Sequence, residues 1–129
     1  MTTLTPCREG VEKMLLELDA NIARQLARGA GNETSARLVK AILPTIMRAV
    51  ADEIDREVPF EQVMVGMEFA FANSTLSVAR TMANAVDVDT EALATAFAVA
   101  ILERTMQIKA VPKSERIITP VKKPQGGEA

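Results

Sequence analysis

Apolar residues recur every three or four positions through most of this chain, and this period constrains the fold more than any other sequence feature. Such spacing is typical of amphipathic helices, whereas half-buried strands alternate with a period of two. We find no β-hairpin turn and no repeated unit; a short extended piece at 116–121 is the one exception suggested. The expected fold class is all-α, a four-helix bundle-like single domain.

The first helix is bounded by residues with clear start and stop preferences. Thr5 can cap free amide groups, and Pro6 is well tolerated at the first helical position. Gly29 and Gly31 then provide a stop. We expect this helix to cover about 6–28, with its apolar residues on one face.

Proline inside the second helix predicts an irregularity. Asn32 can cap this helix, whose apolar period continues to Val58. Pro44 removes one backbone hydrogen bond and crowds the preceding turn. We therefore expect a kink or a break near 41–43, in a helix that either curves around a core or acts as a hinge.

The third and fourth helices are delimited by proline and aspartate. Pro59 ends the second segment and can start the third helix. Asp87 and Asp89 are alternative caps for a fourth helix that runs to about Ile108, and Pro112 prevents its continuation. We expect residues 1–110 to form the helical domain and 111–129 an extended or disordered basic tail.

Small residues line one side of the third and fourth helices, where they allow helix axes to approach closely. Apolar residues also surround the fourth helix more fully than a surface helix requires, which favours a central position. We expect a homodimer that packs these two helices across a twofold axis. The predicted packing face consists of Gly66, Ala70, Asn73, Ser77, Ala92, Ala96 and Ala100.

Five carboxylates concentrate near the end of the second helix, where the helix dipole disfavours negative charge. This acidic patch consists of Asp52, Glu53, Asp55, Glu57 and Glu61. It can be a solvated face, a docking site for a basic partner, or a metal site. Neither a calcium-loop glycine pattern nor a second carboxylate-rich helix motif accompanies it, so we expect no metal.

Basic residues dominate the end of the chain, where Glu115 is the one acidic residue between 109 and 124. This tail can lie across the acidic patch of its own or a neighbouring subunit, with weak and salt-sensitive pairing. It can also recognise a protein partner, contact phosphates, or simply increase solubility. The predicted partner-binding residues are Lys109, Lys113, Arg116, Ile117, Ile118, Lys122 and Lys123.

Composition argues against most catalytic chemistry. The 129 residues include no histidine, tyrosine or tryptophan and one cysteine, Cys7. Histidine is the side chain best suited to proton transfer near neutral pH and is the commonest transition-metal ligand, so its absence excludes most acid–base and zinc mechanisms. Gly29 and Gly31 lack the third glycine and the lysine of a phosphate-binding loop. We expect no catalytic residue and no cofactor.

Two further features of the third and fourth helices leave alternatives open. Glu68 lies among apolar residues and either points outward between two stripes or, if buried in a dimer, needs a partner such as Arg80 or Arg104. Methionines there form either core filler or an adaptable surface. The methionines are Met64, Met67, Met82 and Met106.

These observations favour a non-enzymatic helical interaction protein, a small regulator, adaptor or inhibitor that binds a protein partner. One alternative is a weak, largely sequence-independent nucleic-acid-binding regulator that acts through the tail. Another is a sensor of apolar small molecules, with a pocket lined by Phe69, Phe71 and Phe97. The longest near-apolar run, 92–102, is well short of the ~20 residues that span a bilayer. With a single cysteine, we expect a cytoplasmic protein without membrane partners.

Overall fold

The structure is a computed structural model that describes residues 5–29, 31–112 and 118. These residues form four helices and no strand, which confirms the all-α prediction. Each helix begins and ends within three residues of the expected positions. The helices are α1 (Pro6–Ala27), α2 (Glu33–Asp55), α3 (Phe60–Val86) and α4 (Thr90–Lys109).

The chain divides into two compact units. Unit 1 contains α1 and α2 and comprises Met1–Val58 together with Gln107–Ala129, whereas unit 2 comprises Pro59–Met106. Helices α1 and α2 pack against each other as a pair in the manner of a bundle. The domain boundary expected at residue 110 and the homodimer stay predictions.

In unit 1, large side chains of α1 pack against small residues of α2. Val11, Leu15, Leu18 and Ile22 recur at spacings of four, three and four, which places them on one face of α1. The buried residues that α2 contributes to this core are alanines, Ala36 and Ala51. The alanines let the two helices approach, and the partly buried Val39, Leu43 and Met47 of α2 pack against the same core and help to fill the space between them.

Pro44 does not interrupt α2, which continues from Glu33 to Asp55. Proline lacks an N–H group, so the helix loses one backbone hydrogen bond there without ending. The break that was one alternative is therefore absent, and the kink stays a prediction.

Helix caps account for the boundaries. The Asn32 side chain accepts a hydrogen bond from the Ser35 amide at 2.6 Å, as its position before α2 predicts. Between the two expected caps of α4, Asp89 is the one used: its Oδ2 accepts from the Ala92 amide at 2.8 Å. Asp87 instead ends α3 in a left-handed conformation, with φ 56°.

The end of α2 is a Schellman turn made by a residue other than glycine. Glu57 has φ 63°, and its amide donates to the Ile54 carbonyl at 2.9 Å. The Val58 amide donates to the Glu53 carbonyl at 3.2 Å, which completes the motif. A side chain at this φ is strained, because its Cβ crowds the backbone.

The two glycines between α1 and α2 serve different purposes. Gly29 has φ 70° and allows the left-handed turn after α1. Gly31 has no such φ, but a Cβ at this position would lie 2.7 Å from Ile118 Cδ1. Gly31 is therefore required by a close approach and not by its backbone conformation.

Candidate interaction surfaces

Unit 2 exposes most of its large apolar side chains. Of the nineteen large hydrophobic residues that are exposed in the described chain, fourteen belong to this unit. We call these fourteen the apolar surface. They are Phe60, Met64, Val65, Phe69, Phe71, Leu76, Val78, Met82, Val86, Val88, Val99, Ile101, Leu102 and Met106.

The buried residues of unit 2 are small. Ala79, Ala83 and Ala94 are its three buried residues, whereas the core of unit 1 contains leucine, isoleucine and valine. Ala94 is also the one buried residue of α4. The single chain therefore does not enclose α4, its central position in a homodimer stays a prediction, and unit 2 leaves its largest apolar groups in contact with water.

The predicted packing face of small residues is exposed along its whole length, on both α3 and α4. A Cβ added at Gly66 would meet no atom within 4 Å, so this part of α3 is open. The small residues lie beside the apolar surface on the same helices. Another helix could therefore approach them closely without steric conflict.

Polar side chains on α3 and α4 form hydrogen bonds with their own helix. Asn73 Nδ2 donates to the Phe69 carbonyl at 2.8 Å, and the Thr75 hydroxyl donates to that of Phe71 at 2.8 Å. Further along α3 the Thr81 hydroxyl donates to the Ser77 carbonyl. On α4 the Thr105 hydroxyl donates to the Ile101 carbonyl. These groups already have partners, so burying the surrounding surface would desolvate fewer unpaired polar atoms.

Glu68 is exposed, which is the first of the two alternatives suggested by the sequence. Met64, Met82 and Met106 are exposed as well, whereas Met67 is half-buried. These methionines thus provide flexible apolar surface in the single chain and not core filler.

A second cluster of functional groups joins α1 to α2. The Asp55 carboxylate at the end of α2 accepts hydrogen bonds from the backbone amides of Cys7 (3.2 Å) and Arg8 (3.1 Å). It also accepts a hydrogen bond from the Thr5 hydroxyl. Asp55 therefore caps the first turn of α1, and it does so from another helix.

Ion pairs continue this connection along the same two helices. Arg8 Nη1 lies 2.9 Å from Asp52 Oδ1, and Arg48 Nε lies 2.8 Å from Glu12 Oε1. Each pair joins an early residue of α1 to a late residue of α2, so the two helices run antiparallel. We call Thr5, Arg8, Glu12, Arg48, Asp52 and Asp55 the interhelical network.

The network shifts the acidity of its members. The Thr5 hydrogen bond, assisted by the Arg8 and Cys7 amides, lowers the pKa of Asp55 below its ordinary value. The Arg48 guanidinium hydrogen-bonded to Glu12 lowers the pKa of that carboxyl, and Glu12 in turn raises the pKa of Arg48. In each case the charged form is favoured by a direct hydrogen bond.

The five residues of the acidic patch do not share one role. Asp52 and Asp55 contact α1, as described above. Glu53 Oε1 lies 2.7 Å from Arg56 Nη1, Glu57 forms the strained turn, and Glu61 lies in the first turn of α3 in unit 2. The sequence indicated the concentration of charge, but not that α1 uses part of it.

Most of the predicted partner-binding residues lie outside the part of the chain that the structure describes. These are Lys113, Arg116, Ile117, Lys122 and Lys123. Lys109 ends α4 and is exposed. Ile118 is 6% exposed and belongs to the core of unit 1. Its side chain therefore packs inside the protein, and the binding role of the others stays a prediction.

The remaining candidate chemistry has little structural support among residues 5–29, 31–112 and 118. Cys7 is half-buried against the core of unit 1. Phe69 and Phe71, two of the three expected pocket residues, are exposed. No group of three or more metal-binding side chains comes together in this part of the chain. None of its helices has the length and apolar character needed to cross a membrane.

Comparison with known proteins adds no functional information, because no protein family, no curated protein and no solved structure matches this chain.

Proposed function

We propose that this protein is a non-enzymatic helical interaction protein that forms a homodimer through the apolar surface of unit 2. The observation that carries the proposal is the contrast within unit 2, where all three buried residues are alanines and fourteen large apolar residues are exposed. Such extensive apolar exposure in a soluble protein marks an interaction site. The absence of histidine supports a role in binding and not in catalysis.

The extent of the apolar surface fits a stable dimer. Fourteen side chains at about half exposure present on the order of 1,000 Å² per chain, whereas a standard interface needs roughly 800 Å² from each partner. Homodimer interfaces are also more apolar than transient ones. Because Phe69 and Phe71 lie on opposite faces of α3, this total supports a stable dimer in which the helices are covered on more than one side.

A second copy of the chain is the occupant that best meets the needs of folding. Helices gain most of their stability from packing an apolar face, and unit 2 buries no large side chain of its own. Its cover must therefore be present whenever the chain folds. A second copy of the chain is present wherever the protein is made, and an isologous contact covers the same residues on both chains.

The small residues give this contact a means of close packing. Gly66 and Ala70 on α3, and Ala96 and Ala100 on α4, would lie at the points where helices of the two copies approach. The hydrogen bonds of Asn73 and of the threonines to their own helix reduce the desolvation cost. We place the dimer in the cytoplasm, since a lone cysteine suits a reducing compartment, and expect unit 1 and the tail to bind the protein partner.

Two leucines of nearly equal exposure, one in each unit, provide a matched test of the proposed interface. Leu76 on α3 is 53% exposed and belongs to the apolar surface, whereas Leu38 on α2 is 54% exposed and lies in unit 1. Leu76→Glu removes apolar contact in both copies, so we expect the dimer dissociation constant to rise roughly 30-fold or more. Leu38→Glu should leave it unchanged. Sedimentation equilibrium over a range of protein concentrations measures both constants.

Several results would contradict the proposal. A wild-type chain that is monomeric at tens of micromolar, and whose unfolding does not depend on protein concentration, would exclude the dimer. Equal effects of Leu76→Glu and Leu38→Glu would place the interface elsewhere. Association only in the presence of nucleic acid, lost at moderate salt, would favour the nucleic-acid alternative.

A further inference from the structure

Ile118, in the C-terminal segment, is almost fully buried. It is 6% exposed and shares a core with Val11, Leu15, Leu18 and Ile22 of α1 and with Ala36 and Ala51 of α2. Residues this buried are held by the atoms around them. Ile118 is therefore fixed in the core of unit 1.

Gly31 shapes the site that receives this side chain. A Cβ at position 31 would lie 2.7 Å from Ile118 Cδ1, 2.8 Å from its Cγ1 and 3.2 Å from its carbonyl oxygen. Both the side chain and the backbone of residue 118 thus occupy the space that any other residue at 31 would fill. The site is selective on both sides: it needs glycine at 31 and an aliphatic side chain from the segment.

We propose that unit 1 carries a socket for a branched aliphatic side chain, and that the chain's own C-terminal segment occupies it through Ile118. The socket lies at the turn between α1 and α2, beside the core of these helices. The occupant is supplied by the same chain. This inference concerns unit 1 and is independent of the dimer proposed for unit 2.

The socket gives Ile118 two states, docked and released. While Ile118 is docked, a partner that binds this side chain must compete with the core of unit 1. Release requires exposing an isoleucine to water, so the docked state of Ile118 is favoured over the released state by about ten- to a hundredfold. The segment thus acts as an intramolecular competitor for ligands that carry a similar aliphatic side chain.

Limited proteolysis of the full-length protein tests the docking. Trypsin can cleave between Arg116 and Ile117, immediately beside the anchor. We expect Gly31→Ala to accelerate this cleavage about tenfold or more, because the added methyl group displaces Ile118. Gly10→Ala is the matched control, since a Cβ there meets no atom within 4 Å, and it should leave the rate unchanged.

A second measurement does not depend on a variant. In the NMR spectrum of the wild-type protein we expect a nuclear Overhauser effect between the Ile118 δ1 methyl and the Gly31 α protons. Its absence, or equal cleavage rates for wild type and Gly31→Ala in folded protein, would overturn the proposal. The same signal appearing only between differently labelled chains would place the segment of one copy in the socket of another, contrary to the assignment made here.

Discussion

The strained turn at Glu57 provides a prediction in which backbone conformation can be separated from charge. Glu57 adopts φ 63° at the end of α2 and donates its amide to the Ile54 carbonyl. A residue with a Cβ is destabilised by about 1–2 kcal/mol in this left-handed backbone conformation, whereas glycine adopts it without steric strain. Replacing another residue by glycine also lowers the free energy of unfolding by about 0.4–1 kcal/mol, because the unfolded chain gains conformational entropy. Glu57→Gly should therefore stabilise the protein by roughly 0.5–1 kcal/mol.

Glu57→Ala is the control, because it removes the carboxylate and retains the Cβ. We expect its free energy of unfolding to stay close to that of wild type, so the difference between the glycine and alanine variants reports the backbone strain less the entropy cost of glycine, with no contribution from the carboxylate. Urea denaturation followed by far-UV circular dichroism, at one fixed protein concentration, measures all three proteins. A glycine variant no more stable than the alanine variant would refute the argument from φ.

Two further predictions concern the interhelical network and the core. Hydrogen bonds lower the folded-state pKa of Asp55 and of Glu12 below their ordinary values of 3.8 and 4.5. The two carboxylates therefore stabilise the folded protein fully above pH 3.8 and 4.5, and this stabilisation is lost as the pH falls through their lower folded-state pKa values. Urea titrations from pH 6 downwards should show this loss, and Asp55→Asn should reduce the pH dependence; an unchanged slope would mean that Asp55 does not link the helices. In the core, Ile22 is completely buried, so Ile22→Ala should lower the free energy of unfolding by about 2–5 kcal/mol. Leu16→Ala, at a position 72% exposed, should change it by less than about 0.5 kcal/mol, and similar losses for both would contradict the assigned core.

Local sequence signals predicted the helices well. Apolar spacing, Asn32 before α2 and Asp89 before α4 all act within one or two turns of the residues they organise. The period of the apolar residues also indicated the face of α1 that forms the core. Such features need no knowledge of the rest of the chain, which is why they could be inferred from the sequence.

Contacts between distant residues could not be inferred in the same way. The cap of α1 comes from Asp55, about fifty positions away, whereas the sequence suggested Thr5 itself. The acidic patch was visible as a run of carboxylates, but nothing local showed that Asp52 and Asp55 face α1. Gly31 looked like a helix stop because its contact with Ile118 depends on the tertiary fold.

The fourth helix shows what composition can and cannot predict. Apolar residues on all of its sides favoured a covered helix, and we expected a second copy of the chain to supply that cover. Within the single chain Ala94 is the one buried residue of α4. A fully apolar helix needs cover, but the sequence alone does not say which molecule provides it, so the homodimer stays a prediction.

The polar side chains that bond to their own helix on α3 and α4 have a thermodynamic consequence. With Asn73 and the threonines already paired, covering this surface removes mainly apolar groups from water. Such association has a large negative heat-capacity change and near room temperature is driven by entropy. The proposed dimer should therefore weaken as the solution is cooled towards freezing, so that cold, a condition that usually preserves proteins, would favour its separation into single chains.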